Sequence, residues 1–194
     1  KVGALGLTEP GAGSDALGSM ALKAVRDGDD YVLTGRKMFI SNGPVADLVL
    51  TYAKTAPDRG PKGISAFLVE TGTPGFSVAQ TLTKMGWRGC PTGELVFDAV
   101  RVPAANLLGV ENGGVGVVMS GLDIERAFLA LPYIGAAQRC LDLSLDYAAT
   151  RRQFGRPIGS FQMIQSMLAE MATLIDAARL YAFHALAACD ALAR

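Results

Sequence analysis

Near residue 110 the sequence changes its period, and this change constrains the fold more than any single motif does. Before it come "MALKAV", "YVLTGRKMFIS", "ADLVLTYAK", "GISAFLVET", "FSVAQTLTK" and "GELVFDAVRV". These short runs, rich in β-branched and aromatic residues, are punctuated by Gly, Pro, Asp and Asn, which is the signature of strands joined by turns. Asp27-Gly28-Asp29 reads as a hairpin turn and Ser41-Asn42-Gly43-Pro44 as a loop. No helical pattern separates the runs, so an antiparallel barrel or sandwich is expected rather than βαβ units. After "LLGVENGGVG" the helical period takes over. From Val115 to Thr150 the only strong interruptions are Gly121, Pro132 and Gly135, which predicts one kinked helix or two joined helices. Phe161, Ile164, Leu168, Met171, Ile175, Ala178 and Ala182 then follow at spacings of three and four, the seam of a helix packed in a bundle. The reading is a multi-domain α and β chain: a β-domain over 1–110, then part of an up-down helical bundle over 111–194.

Half of the 194 residues are hydrophobic and 19% are charged, which is too apolar for a disordered chain. A formal net charge of zero argues against a nucleic-acid or anionic-membrane partner. Cys90, Cys140 and Cys189 are odd in number and far apart, so reduced thiols are expected and no metal site. No apolar run reaches transmembrane length, and the first residues do not resemble a signal peptide. The chain starts directly into a motif and stops inside a helical pattern, so a piece of a longer protein is expected. The lone His184 reads as a surface or packing residue.

The stretch "LTEPGAGSD", Leu7 to Asp15, spells part of a dinucleotide fingerprint: Gly11, Gly13 and Ala16 fit G-x-G-x-x-G/A. That fingerprint needs a helix to follow it. Here "ALGSMALKAVRDGDDYVLTG" follows, which reads as strand, turn, strand. A loop offering backbone N–H groups to an anion survives this objection, since a nest needs no helix. A purely structural turn is the competing account of the loop.

The loop does not stand alone. "LTEPGAGSD", "GRKMFISNG", "GISAFLVE" with "TPGFS", "KMGWRG", "VRVPAANLLG", "SGLDIERAFLA" and "RRQFGRPIGSFQMIQSMLAEM" follow one another in the order and spacing of the acyl-CoA dehydrogenase family. The chain resembles that family along practically its whole length, most closely its isovaleryl-CoA branch. Relative to the family, an N-terminal helical domain and the last helices of the C-terminal domain are missing.

The resemblance implies FAD as cofactor and an acyl-CoA thioester as substrate. In the family the segment matching Leu5 to Ser14 runs along FAD. Leu5, Leu7, Thr8, Gly13 and Ser14 are therefore expected cofactor contacts, with Thr8 near the isoalloxazine ring and Ser14 where flavin and CoA ester approach each other. Glycines there keep Cβ atoms out of the way of a ligand. By the same match Phe39 stacks on the ring, Ile40 borders it, and Ser41 offers its hydroxyl to flavin N5. The family more often has Trp and Thr at positions 39 and 41, so an aromatic face and a hydroxyl are both kept. Without the resemblance Phe39 would be an ordinary core residue and Ser41 a strand-end cap. Arg151, Phe154 and Gln162 match positions that hold the pyrophosphate and adenosine of a neighbouring subunit's FAD, which implies a homodimer or homotetramer. The residues alone also allow Arg151 to be a helix-terminal cation.

Desaturating a thioester needs a base for the α-proton and an acceptor for the β-hydride. A carboxylate in a dry pocket suits the first task, because desolvation strengthens it as a base. Most of the family keeps that glutamate near the end of the chain, but the isovaleryl and long-chain branches carry it where Glu125 stands. The implied reaction passes the α-proton to Glu125 and the hydride to flavin N5. Asp123, Ile124 and Arg126 would help hold the CoA ester, with Ser14 and Lys62 as further substrate contacts. On the residues alone, an exposed helix carboxylate paired with a nearby basic residue is the favoured reading of Glu125. The family also implies an electron-transfer flavoprotein as electron acceptor, and a cytoplasmic or, in a eukaryote, mitochondrial-matrix location. Two alternatives remain: an acyl-CoA oxidase or flavin monooxygenase on the same fold, and a catalytically incomplete fragment acting as a binding or structural module.

Overall fold

In the computed structural model, residues 1–192 are described. Two compact units divide at Met119 and Ser120. The first is built on one sheet of eight strands. They are β1 (Gly3–Gly6), β2 (Lys23–Asp27), β3 (Asp30–Ser41), β4 (Leu48–Lys54), β5 (Ile64–Glu70), β6 (Phe76–Thr81), β7 (Thr92–Pro103) and β8 (Leu107–Leu108). Their order is β6-β7-β3-β2-β4-β5-β8, with β1 pairing β4. Most neighbours are antiparallel, but β1 and β2 run parallel to β4. The sheet is therefore mixed where a purely antiparallel one was expected. A parallel pair needs a long connection, and the β2–β3 hairpin supplies it between β1 and β4.

The Asp27-Gly28-Asp29 signal becomes a two-residue turn closed by the Asp27–Asp30 pair, with Gly28 at φ 62°. Alternation along the strands buries Leu33, Val49, Phe67, Leu95 and Val100 in a common core, joined by Leu22 just ahead of β2. Tyr31 lies 4.9 Å from Phe67, ring centre to ring centre. Burial raises the phenol pKa of both Tyr31 and Tyr52.

Two bulges interrupt the β3–β7 ladder. In the first, Leu33 faces Val100 and Gly35 faces Phe97, so β7 carries one extra residue and Ala99 is turned to φ 52°. Gly35 sits at φ 148°, and a Cβ there would lie 2.8 Å from the Leu22 Cα. In the second, Lys37 faces Leu95 and Ile40 faces Gly93, so the extra residue is on β3 and Phe39 takes φ 60°. A bulge of this kind shifts the phase of every side chain that follows it.

The second unit is helical. Helix α1 (Gly114–Phe128) extends into it, followed by α2 (Ala130–Thr150), a short hairpin of β9 (Arg152–Gln153) and β10 (Arg156–Pro157), and α3 (Gln162–Leu192). The interruption between α1 and α2 falls just before Pro132, which has no N–H to offer the Phe128 carbonyl. Two joined helices are thus what the sequence produces. On α3 the seam is legible, with Ile175 and Ala182 buried and Ile164, Leu168 and Met171 half-buried. Ala178 is exposed where it lines an open groove with Ile175 and Ala182, and next to it Arg179 donates to Gln138 Oε1 at 2.6 Å.

The Gly35 geometry yields a direct test. Gly35→Ala should destabilise the first unit by roughly 2–4 kcal/mol through left-handed strain and the clash with Leu22. A urea unfolding midpoint indistinguishable from wild type would refute it.

Candidate functional site

The loop after β1 is held by two residues of β3. Lys37 is fully buried, and its Nζ donates to the Leu7 carbonyl at 3.0 Å and to Glu9 Oε1 at 2.9 Å. The Glu9 carboxylate, also buried, accepts from the backbone N–H of Ala21 at 2.6 Å and of Leu22 at 3.0 Å. Next to Lys37, inside the second bulge, Met38 N donates to the Thr8 carbonyl at 2.8 Å. A reciprocal Glu9–Ala12 backbone pair closes the turn that carries Gly11. Burial pushes the Lys37 amine down to about 8, although Glu9 pulls the other way. Neither Lys37 nor Glu9 is singled out by motif reading. The available signal was a lysine at an inward position of an alternating strand, which requires a buried acid.

The second bulge decides what β3 shows to solvent. Without it Phe39 would share the inward face of Tyr31, Leu33 and Lys37. With it Ile40 is buried, and Phe39 and Ser41 are turned outward. Phe39 is 64% exposed at positive φ, a conformation that costs about 1–3 kcal/mol and returns little burial. The residue-only reading of Phe39 as core is thereby corrected. The Ile40 side chain belongs to the core, which leaves its backbone for the cofactor contact expected there.

Leu5, Gly13 and Ser14 are exposed, while Leu7 and Thr8 are half-buried. A Cβ at Gly11 or Gly13 would meet nothing, and neither has positive φ. The fold itself does not need glycine there, so the bare backbone leaves room for something outside the chain. After the loop come turns and then β2, with no helix, which disposes of the dinucleotide fingerprint. Lys62 is exposed on the turn Pro57–Gly63 ahead of β5.

In the second unit the β9–β10 hairpin thrusts Phe154 into solvent, 92% exposed at φ 50°. Its ring meets Phe161 edge-on at 6.2 Å. Phe154 and Gln162 border one apolar groove of about 510 Å³. Arg151 caps α2 through its backbone, and its side chain is exposed. On α1, Asp123 and Arg126 form an exposed ion pair at 3.6 Å. Ile124 and Glu125 are exposed as well. The dry surroundings expected of a base are therefore not supplied to Glu125 by the described residues. Arg126 also lines a second apolar groove, of about 550 Å³, with Tyr133, Leu174 and Tyr181. Among the described residues no group of His, Cys, Asp or Glu forms a metal site. Nor is any described helix long and apolar enough to cross a membrane.

Known proteins place this architecture. Residues 4–100 match the family model "Acyl-CoA dehydrogenase, middle domain", and residues 112–194 match "Acyl-CoA dehydrogenase, C-terminal domain". A mitochondrial 2-methylacyl-CoA dehydrogenase of Solanum tuberosum is 50% identical over 97% of this chain and 46% of its own length. A mitochondrial isovaleryl-CoA dehydrogenase of Oryza sativa subsp. japonica has the same identity and coverage. The solved butyryl-CoA dehydrogenase of Megasphaera elsdenii superposes with a TM-score of 0.89 at 42% identity, over 95% of this chain and 48% of that one. The chain belongs to the acyl-CoA dehydrogenase family. It spans about half the length of the curated relatives it matches.

The buried lysine makes a signed pH prediction. Its amine titrates at about 8 when folded, against about 10.4 when unfolded. Between those values the unfolded chain binds more protons, so stability should rise with pH, by an amount on the order of 3 kcal/mol. Lys37→Met should lack the rise. Urea titrations of both proteins from pH 7.5 to 10.5 would show it as a difference in slope, and parallel profiles would contradict it.

Proposed function

We propose that the protein containing these residues is an FAD-dependent dehydrogenase that introduces an α,β double bond into a short or branched-chain acyl-CoA. The observation that carries this reading is the set of three exposed aromatic residues at positive φ, Phe39 and Trp87 in the first unit and Phe154 in the second. Each is held in a costly conformation that leaves most of its side chain in solvent, which fits a residue kept for a ligand. The donor set fits FAD: hydroxyls at Thr8, Ser14 and Ser41, bare backbone at Gly11 and Gly13, and an outward aromatic ring at Phe39.

In this reading Phe39 packs on the isoalloxazine ring, while Ser41 and Thr8 donate to its polar edge. Leu5, Leu7, Gly13 and the Ile40 backbone border it. Arg151, Phe154 and Gln162 hold the pyrophosphate and adenosine of a neighbouring subunit's cofactor, Arg151 through its fork of donors. This makes the working protein a homodimer or homotetramer. When bound, FAD supplies the two-electron acceptor for the β-hydrogen. Glu125 takes the α-proton. Its exposure here means that the bound thioester, together with the rest of the working protein, must exclude water before it acts as a strong base. Asp123, Ile124, Arg126, Ser14 and Lys62 orient the CoA ester. The names of the potato and rice relatives favour a branched acyl chain. The electrons then pass to an electron-transfer flavoprotein.

Two experiments on the full-length protein bear on this. Glu125→Gln should keep FAD yet lower the rate of flavin bleaching by isovaleryl-CoA at least ~10³-fold, in line with loss of general-base catalysis and its positioning. Bleaching at the wild-type rate would place the base elsewhere. Phe154→Asn puts a residue that tolerates positive φ at the hairpin tip. Its melting temperature should hold or rise while FAD dissociates faster; unchanged FAD retention would remove Phe154 from the site.

A further inference from the structure

Of the buried ionisable groups in the first unit, Lys37 and Glu9 have no part in the chemistry above, yet they join its two cofactor-facing stretches. Glu9 directly follows Thr8, and Lys37 stands two residues before Phe39 and four before Ser41. The Lys37 ammonium bonds the carbonyl of Leu7 on one side of Thr8 and the carboxylate of Glu9 on the other. Met38 N bonds the carbonyl of Thr8 itself. Three successive loop residues are thus tied to the two β3 residues that open the bulge. On its far side the same carboxylate fixes Ala21 and Leu22 at the start of the return to β2.

A hydrophobic pair of similar volume would fill this space without the cost of burying two charges. What an apolar pair does not provide is a directional donor to the Leu7 carbonyl and an acceptor for two backbone N–H groups. We infer that Lys37, with Glu9, is a positioning residue that sets the register between Thr8 and the outward Phe39–Ser41 face, and through them the polar edge of the flavin. This rests on the FAD reading above. Lys37 faces Glu9 from the loop and Leu95 from β7, and among the described residues no other charged group bears on it.

The test compares wild type with Lys37→Met and with the double variant Lys37→Met/Glu9→Gln, all as full-length protein titrated with FAD. The single variant strands a buried carboxylate and should lose both thermal stability and FAD affinity. The double variant leaves no unpaired charge, so its melting temperature should return to near wild type. Its FAD affinity should nevertheless stay at least ~10-fold weaker, with a shifted visible flavin band, because the donor to Leu7 is still missing. A double variant that regains stability, affinity and band position together shows a merely structural pair and overturns the inference. If neither variant folds, Lys37→Arg decides: it keeps the charge but moves the donor away from the Leu7 carbonyl, so the flavin band should shift and FAD affinity fall. A folded Lys37→Arg protein with wild-type affinity and band position overturns the inference. Wild type that takes up no FAD at all overturns the FAD reading together with this one.

Discussion

A lysine and a glutamate buried against one another fix the part of this molecule on which the rest of the account depends. Removing one member of such a pair typically costs about 3–5 kcal/mol, because the other is left charged in a dry place. Here the pair also carries three backbone connections, to the Leu7 carbonyl and to the Ala21 and Leu22 N–H groups, with the Met38–Thr8 backbone bond one residue along. A glycine-rich loop with no helix behind it would otherwise have little to hold it. The clamp lets Gly11 and Gly13 stay bare and exposed without the loop losing its shape.

The second constraint is one extra residue in β3. Sheet alternation is strict, so a single insertion exchanges inner and outer faces for everything beyond it. It sends Phe39 and Ser41 outward and Ile40 into the core, and it begins at Met38, whose N–H bonds the Thr8 carbonyl of the loop. Clamp and bulge meet at Lys37 and Met38. The strain at Phe39 accompanies that arrangement, and Phe154 shows the same pattern on an unrelated hairpin.

Much of the fold was legible because it follows from period. The strand runs, the Asp27-Gly28-Asp29 turn, the joined helices around Pro132 and most of the α3 seam come directly from residue spacing. What escaped has physical reasons. Strand β1 is only Gly3–Gly6, too short to carry a pattern, so its parallel pairing with β4 was invisible. Ala178 keeps its place on the seam beside Ile175 and Ala182 but lines an open groove, so its exposure depends on tertiary cover that no local pattern encodes. Alternation alone puts Phe39 in the core, and only the bulge corrects it. At Glu125 the motif nominates a residue for the role of base, but its exposure among the described residues is a property that no motif encodes.

The central claim is that "LTEPGAGSD" belongs to a strand-borne flavin site and not to a dinucleotide fold built on a helix. Equilibrium binding of FAD and of NAD to the same full-length protein tests it most directly. The account predicts saturable FAD binding with a perturbed flavin spectrum, and no measurable binding of NAD. Saturable NAD binding in the absence of any for FAD would contradict it.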